Sequence, residues 1–527
     1  MSTSWPMFIG QCKSRLSALA RECFLSREHW KAKHAQQTDE YNSQIRELES
    51  RCNRAEADSE RFEKLWQQQV QKTEALEHQL EQAQRSVQLP EDPPAPGQHY
   101  GQSLMALSIN LASTVGLRKS VEAMQIFFNW LNINKELPTY QAIRVWMFRL
   151  GLHRLQHAGR HDDWIWIVDH SNQVAEEKCL MVLGIRRSKL PPEGTPLRHE
   201  DMDVLGLIPG KECDRESIGK AYRKIADKYG IPRAVVSDGA VELREPVKRL
   251  RTTGKAAISV RDLKHFLANR LENLLSKDLS YQEFLSELGK TRSSIQQTEL
   301  SHLAPPAMRQ KARFMNLAPS LEWANMVLWH LKHPDSESRK GITDERMQKK
   351  LAWLERYELD LAKWTLYQTI VSTSLTFINE YGLQHDTSHK LHSLLKPFAT
   401  EVTQALIGKI IKFIHIYEKK LYLNERLPMS SEIIESCFAK FKALEQSHAR
   451  SGLTHLVLAI PCLFKATTAT EIVSAFAETK VRDTQTWLKK YMPTTHDAKR
   501  QRAYREFRKG DTTRSTKNRA TPLSVAV

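Results

Sequence analysis

The chain has 527 residues, 78 Lys and Arg against 61 Asp and Glu, and a formal net charge of +17, which points to a polyanionic partner, nucleic acid or anionic lipid. Seven scattered cysteines with no CxxC pair argue against a zinc ribbon or a disulfide framework and for a reducing cytosol. No apolar run approaches the ~20 residues a bilayer span needs, and "MSTSWPMFIGQCKSR" lacks the layout of a signal peptide, so no membrane role is expected.

Residues 36–88 carry almost no Gly or Pro. Stepping 4,3,4,3 from Tyr41 to Val87 visits fourteen positions, of which only Ser59, Gln69 and Thr73 are neither apolar nor Cys. A 3.5-residue repeat of that length predicts a coiled coil and a homodimer, the alternative being a helix packed on its own chain. "LPEDPPAPGQ" (89–98) ends the helix and predicts an extended spacer. Residues 101–155 read as a small helical region: "SVEAMQIFFNWL", a turn, then "TYQAIRVWMFRLGL", N-capped by Thr139 and ended by Gly151. Helix, turn, helix with Arg144 and Arg149 exposed on the second suits a helix-turn-helix DNA reader; an ordinary helical hairpin has the same pattern.

From residue 164 the pattern alternates. "WIWIVDHS" (164–171), "CLMVLGIRR" (179–187) and "MDVLGLIPG" (202–210) read as three strands able to form hairpins. A helix follows at 214–230, capped by Asp214 and Gly230, then a strand "RAVVSDGA" (233–240), a short helix and a strand "AAISVRD" (256–262). The expected fold class is α+β and mostly helical, built on a mixed sheet with helices on its faces. "GLIPGKE" (206–212) is one residue short of a phosphate loop, so no nucleotide cofactor is expected. After 262 the chain reads as helical, and a basic disordered tail is expected over 494–527, where nine Lys and Arg face two acids between Lys499 and Arg519.

Two strands end on an acid: Asp169 on the first, Asp238 in "VVSDGA" on the fourth. In a sheet of this order those strands lie side by side, so both carboxylates could serve the same divalent ions. A third ligand must come from later in the chain. "SSEIIESCFAKFKALE" (430–445) offers Glu432 and Glu435 above an apolar stripe of Ile433, Ile434, Phe438, Phe441 and Leu444. Lys442, seven residues after Glu435, shares its face. Asp262, His265 and Asn269 fall near the same edge of the sheet without being read as ligands, and His170 faces the other way.

Strand–Asp, strand–Asp within "SDGA", and a distant helical "IES.F…K" together resemble the DDE transposases of bacterial insertion sequences, members of the RNase H-like (retroviral integrase) superfamily. The resemblance covers roughly residues 160–265 and 425–465. It implies that Asp169, Asp238 and Glu435 hold two Mg²⁺ or Mn²⁺ ions, that Lys442 is the lysine following the family's glutamate, and that the chain cuts and joins double-stranded DNA at element ends in the bacterial cytoplasm, on the nucleoid. Some of these enzymes carry a Tyr and an Arg before the Glu, where this chain has Pro428 and Ser431; that departure keeps Glu432 as an alternative third ligand. Glu435 comes 197 residues after Asp238, which implies a helical insertion over 268–424, within which Arg309, Lys311 and Arg313 of "PPAMRQKARFMN" read as DNA contacts and Trp323, Trp329, Trp353 and Trp364 as core. Two other readings share these residues: an RNase H-like nuclease that does not join strands, and a non-catalytic DNA-binding protein derived from a transposase.

Overall fold

The computed structural model describes residues 15–23, 25–28, 61–77, 91–171, 178–210, 214–252, 254–307, 317–334, 343–445, 453–494 and 498–508. The chain divides into two units, Met1–Glu91 and Asp92–Val527. In the first, residues 61–77 of the expected coiled coil are helical, and Phe62, Trp66 and Leu76 stand exposed on that helix. The rest of the heptad pattern, 36–60 and 78–88, lies outside the described residues, as do Arg309, Lys311 and Arg313.

In the second unit the proline-rich stretch is not an extended spacer. Pro94 bridges to Gly101, and the Asp92 carboxylate accepts from the backbone N–H of Ser103 (2.8 Å) and Leu104 (3.1 Å). Asp92 thereby satisfies two of the orphan donors that open helix α1, Gln102–Val115. A Cβ on Gly101 would fall on the Asp92 side chain, so the contact requires glycine there. Helices α2 (Leu117–Trp130) and α3 (Tyr140–Gln156) follow.

Thr139 caps α3 as its sequence predicts, accepting from Ala142 N at 3.2 Å, but the helix does not stop at Gly151. That glycine marks a close approach: a Cβ there would lie 2.0 Å from the carbonyl oxygen of Leu458, in the buried stretch His455–Leu463. Glycine in mid-helix, costly by propensity, here lets two backbones touch. Ile143, Trp146–His153 and Leu155 of α3 are buried. The helix is thus part of the main core, and a groove-reading role along that length is ruled out by burial.

Five strands build the main sheet, β1 Trp164–Ser171, β2 Lys178–Arg186, β3 Asp203–Gly210, β4 Ala234–Ser237 and β5 Ile258–Arg261, and a two-stranded ribbon, Arg251–Thr252 with Lys255–Ala256, falls between β4 and β5 in the chain. Their order is β3-β2-β1-β4-β5. β1, β2 and β3 pair antiparallel, whereas β1–β4 and β4–β5 are parallel. This is the mixed sheet the sequence predicts, with strands one and four adjacent.

Residue parity sorts the two faces. Trp164, Trp166 and Val168 of β1 and Val235 of β4 pack with Ile218, Tyr222 and Ile225 of α4 (Arg215–Tyr229) in one cluster. Ile165, Ile167, Ala234 and Val236 face the larger cluster, shared with α1, α3 and all the later helices. Asp214 and Gly230 cap α4 as expected. The later helices are α5 (Leu263–Leu275), α6 (Leu279–Ile295), α7 (Ala318–Lys332), α8 (Asp344–Leu351), α9 (Glu358–Tyr381), α10 (Thr387–Leu395), α11 (Gln404–Glu418), α12 (Glu432–Glu445), α13 (Ala469–Glu478) and α14 (Val481–Tyr491).

The described residues between β5 and α12 are largely helical, and Phe266 of α5 stacks on Phe413 of α11 at 3.8 Å, tying them to the sheet's large cluster. Trp323 and Trp364 are buried as expected, but Trp329 is 48% exposed, stacked on His333. Residues 498–508 are helical rather than disordered. No helix among the described residues is long and apolar enough to cross a membrane.

Candidate active site at the carboxyl end of the sheet

The β1–β4 register pairs Ile167 with Val236. Continued two residues, it sets Asp169 beside Asp238. By parity both acids lie on the face of Ile167 and Val236, the large-cluster face, and His170 lies on the other. Asp169 accepts from its own neighbour's N–H, His170 N, at 2.7 Å. Asp238 sits in a turn closed by its Oδ1 accepting from Ala240 N at 2.8 Å. Gly239 takes φ +91 in that turn, and a Cβ there would strike the Arg261 side chain at 2.6 Å, so "DG" is required on two counts.

The third acid arrives on α12, and a buried chain of contacts brings that helix in. Arg233, just before β4, holds Glu425 through two bonds, Nε–Oε1 at 2.8 Å and Nη2–Oε2 at 2.7 Å. Leu263 N donates to Met429 O at 3.0 Å. Asp262, fully buried, accepts from both the N–H and the hydroxyl of Ser431 with Oδ2 and caps α5 through His265 N with Oδ1. Ile433, Ile434, Cys437, Phe438, Phe441 and Leu444 form the buried stripe of α12. Glu435 is left partly exposed, facing the sheet's end.

Electrostatics separate the two candidate glutamates. Burial, then the charges of Asp238 and Glu435, push the Asp169 carboxyl up to about 7, against the His170 N–H and the His265 ring. Glu435 therefore belongs to the same field as the two aspartates. Glu432 instead accepts from Asn379 at 2.8 Å and lines a 240 Å³ cavity with Leu197, Ile378, Met429 and Ile433. Lys264 spans both acids, 2.7 Å from Glu435 Oε2 and 3.0 Å from Glu432 Oε1. Lys442 is exposed two turns along from Glu435.

Two basic groups at this site are ones the sequence pattern does not single out as participants. The Asp262 carboxylate beside it, then Asp169 and Glu435, lift His265 to about 9 against the cost of its burial. His265 Nδ1 lies 3.6 Å from Asp262 Oδ1 and Nε2 lies 3.9 Å from Glu435 Oε1. Against burial, Glu435 and Glu432 hold Lys264 above the ordinary ammonium range. The only signal was position: "RDLKHF" follows β5 immediately and so reaches the same edge. Asn269 lies a turn further along α5 and makes no contact with the acids among those described, donating nothing to them; its carbonyl accepts from Asn273.

Of the two arginines of α3 assigned to DNA, only Arg144 is exposed. Arg149 is buried, its Nε and Nη2 each donating at 2.9 Å to the carbonyls of Thr479 and Phe476, with its guanidinium 3.9 Å over the Phe476 ring. It closes the C-terminal end of α13 and is unavailable to phosphate. Sequence spacing misses this because a lone arginine among apolar residues reads as surface.

The donor set at the sheet's end is all carboxylate oxygen, the chemistry that hard divalent cations such as Mg²⁺ and Mn²⁺ take. No family model and no curated protein matches the chain. Among solved structures it is similar to the Drosophila P element transposase strand transfer complex, at 11% identity and a TM-score of 0.39, over 78% of this chain and 99% of that one. A likeness that distant leaves the reading of the site to its own geometry.

Proposed function

We propose that the chain is a metal-dependent DNA transposase with an RNase H-like core, in which Asp169, Asp238 and Glu435 hold two Mg²⁺ or Mn²⁺ ions. One observation carries the reading. Asp169, two residues before the end of β1, and Asp238, just past the end of the parallel β4, share one face by parity, and Glu435, on a helix 197 residues after Asp238, acts on Asp169 through its charge. The charges of Asp238 and Glu435 both work against ionisation of Asp169, an effect that a divalent counter-charge would relieve.

When bound, two such ions supply Lewis acidity to the phosphodiester and to the attacking oxygen. The protein's own groups do the rest. Asp169 and Asp238 are fixed by rigid strands, and Glu435 by the Asp262–Ser431 junction. Lys264 and His265 offset surplus negative charge while the acids stand together. Lys442 lies on the Glu435 face, where an ammonium meets a backbone phosphate. The +17 charge and the exposed Arg144 supply sequence-independent attraction to double-stranded DNA. The heptad pattern of 36–88 pairs two copies so that both element ends are held together.

The test is strand cleavage and strand transfer on a DNA fragment carrying the sequences that flank this gene, with Mg²⁺ or Mn²⁺. Cleaved and joined products are expected from the wild type and from Glu432→Ala. Products absent from Asp169→Ala, Asp238→Ala and Glu435→Ala assign the three carboxylates. Cleavage without joining would replace the transposase by a nuclease on the same site, and binding without cleavage would leave a DNA-binding protein.

A further inference from the structure

A second cluster, built from α3 and α13, has a different chemistry. His153 and His157 are one helical turn apart at the end of α3, and Glu478 is the last residue of α13. Among the described residues, these three form a set of His, Cys, Asp or Glu side chains whose ligand atoms already lie within 4.8 Å of one another. Glu478 Oε2 is 3.5 Å from His153 Nδ1 and 3.2 Å from His157 Nε2. Ligand atoms about 2.0–2.1 Å from a tetrahedral Zn²⁺ stand roughly 3.3–3.4 Å apart, the same spacing.

The surroundings prepare each group. His157 Nδ1 contacts its own helix's His153 carbonyl at 2.8 Å. A carbonyl can only accept, so Nδ1 donates and Nε2 is the nitrogen turned to Glu478, the outer-sphere arrangement metal-bound histidines use. His153 is nine-tenths buried, and its Nδ1 makes no hydrogen bond. The two rings stack with centroids 4.2 Å apart, and His153 Nδ1 and His157 Nε2 both border the same Glu478 oxygen. Glu471, the other acid nearby, is engaged by Arg154 at 2.7 and 2.6 Å and is not available. The carboxylate edge of Glu478 and the His157 ring are half-exposed, which gives an ion an entry path and a place for a water as fourth ligand.

We propose that His153, His157 and Glu478 form a Zn²⁺-type site that staples α3 to α13, separate from the carboxylate site at the end of the sheet. Two imidazoles and one carboxylate select a borderline transition ion over Mg²⁺. The staple closes the helix junction that Arg149 and Arg154 already clamp.

The experiment is Zn²⁺ binding to the full-length protein in competition with a chromophoric chelator. It is run in an Asp169→Asn, Asp238→Asn background, so that the sheet site adds nothing to the count. One tight equivalent is expected, with a rise in Tm on adding Zn²⁺. Because His157 and Glu478 are half-exposed, His157→Ala and Glu478→Gln fold; each weakens that equivalent by more than about tenfold and removes the Tm rise. Co²⁺ in place of Zn²⁺ gives the visible absorption of a four-coordinate ion, lost in His157→Ala. No bound equivalent, or one indifferent to both substitutions, would overturn the site and leave an imidazolium–carboxylate pair.

Discussion

The end of the sheet and the α3–α13 junction both gather charge, and they handle it in opposite ways. At the junction the arginines are answered in place. Arg154 takes both oxygens of Glu471 and the carbonyls of Pro461 and Lys465, and Arg149 takes two carbonyls. At the sheet's end the charges of Asp238 and Glu435 work against that of Asp169, with Lys264 and His265 as the cations beside Glu435. A charge that finds its partner within the fold holds the fold together. A set of like charges held rigidly together marks a place built for something else.

The widest test of that contrast is in activity. Asp169→Asn or Glu435→Gln removes the acid without removing volume. DNA strand cleavage is expected to fall by on the order of 10³-fold or more, the scale of losing charge stabilisation in a transition state. The metal-free Tm of Asp169→Asn is expected to hold or rise, because a repelling charge has gone, whereas Glu435→Gln also gives up its ion pair with Lys264. Arg233→Ala does the reverse. It leaves the buried Glu425 carboxylate with only Arg187, 3.2 Å away, and the Tyr422 N–H, and costs up to about 3–5 kcal/mol of stability, read by chemical denaturation.

Asp262→Asn tests the junction between the two behaviours, since Asp262 touches no proposed ion yet orients both α5 and α12. A ten- to hundredfold loss of Mn²⁺ affinity is expected, roughly the range for outer-sphere partners. Ser431→Ala, removing one of the two donors to Asp262, is expected to lose less.

A pH series follows from the two shifted groups. Asp169 titrates near 7 in the fold and near 3.8 outside it, so the folded state holds a proton the unfolded state has released. Stability from this group therefore declines as pH rises from about 4 to 7. His265 is raised to about 9 from 6.5; its contribution is complete below about 6.5 and is lost as pH rises through 9. Both slopes have one sign, so metal-free protein loses stability at this site towards alkaline pH. The Tm gain from Mg²⁺ is expected to grow with pH through 7, as Asp169 gives up its proton. A gain that is flat across that range would separate Asp169 from the ion.

The smallest expected effects distinguish the two arginines of α3. Arg144→Ala leaves stability within about 0.5 kcal/mol and lowers the salt dependence of DNA binding by roughly one phosphate contact. Arg149→Ala leaves two buried carbonyls unpaired and lowers stability by about 1–3 kcal/mol, with no change in salt slope.

Much of the sheet is legible in the sequence because its strands carry period-two patterns and end on turn-forming acids. The order follows from one helix placed between strands three and four. Asp169, Asp238 and the Glu435 helix are legible for the same reason: strand ends and an amphipathic stripe fix which way each side chain faces. Lys264 and His265 are not, because their roles arise only when α12 packs on α5 across more than 160 residues of chain. Arg149 and Gly151 misled for a shared reason. Local rules make an arginine exposed and a glycine a helix end, and both are overridden where α3 is enclosed by His455–Leu463 and α13.

The most direct test of the central claim is the Mn²⁺ binding isotherm of the full-length protein, followed by electron paramagnetic resonance of the free ion. Wild type is compared with Asp169→Asn, Asp238→Asn, Glu435→Gln and Glu432→Gln. The account predicts bound Mn²⁺ in the wild type and in Glu432→Gln, and its loss in each of the other three. Equal binding in all five proteins, or a loss confined to Glu432→Gln, would contradict it.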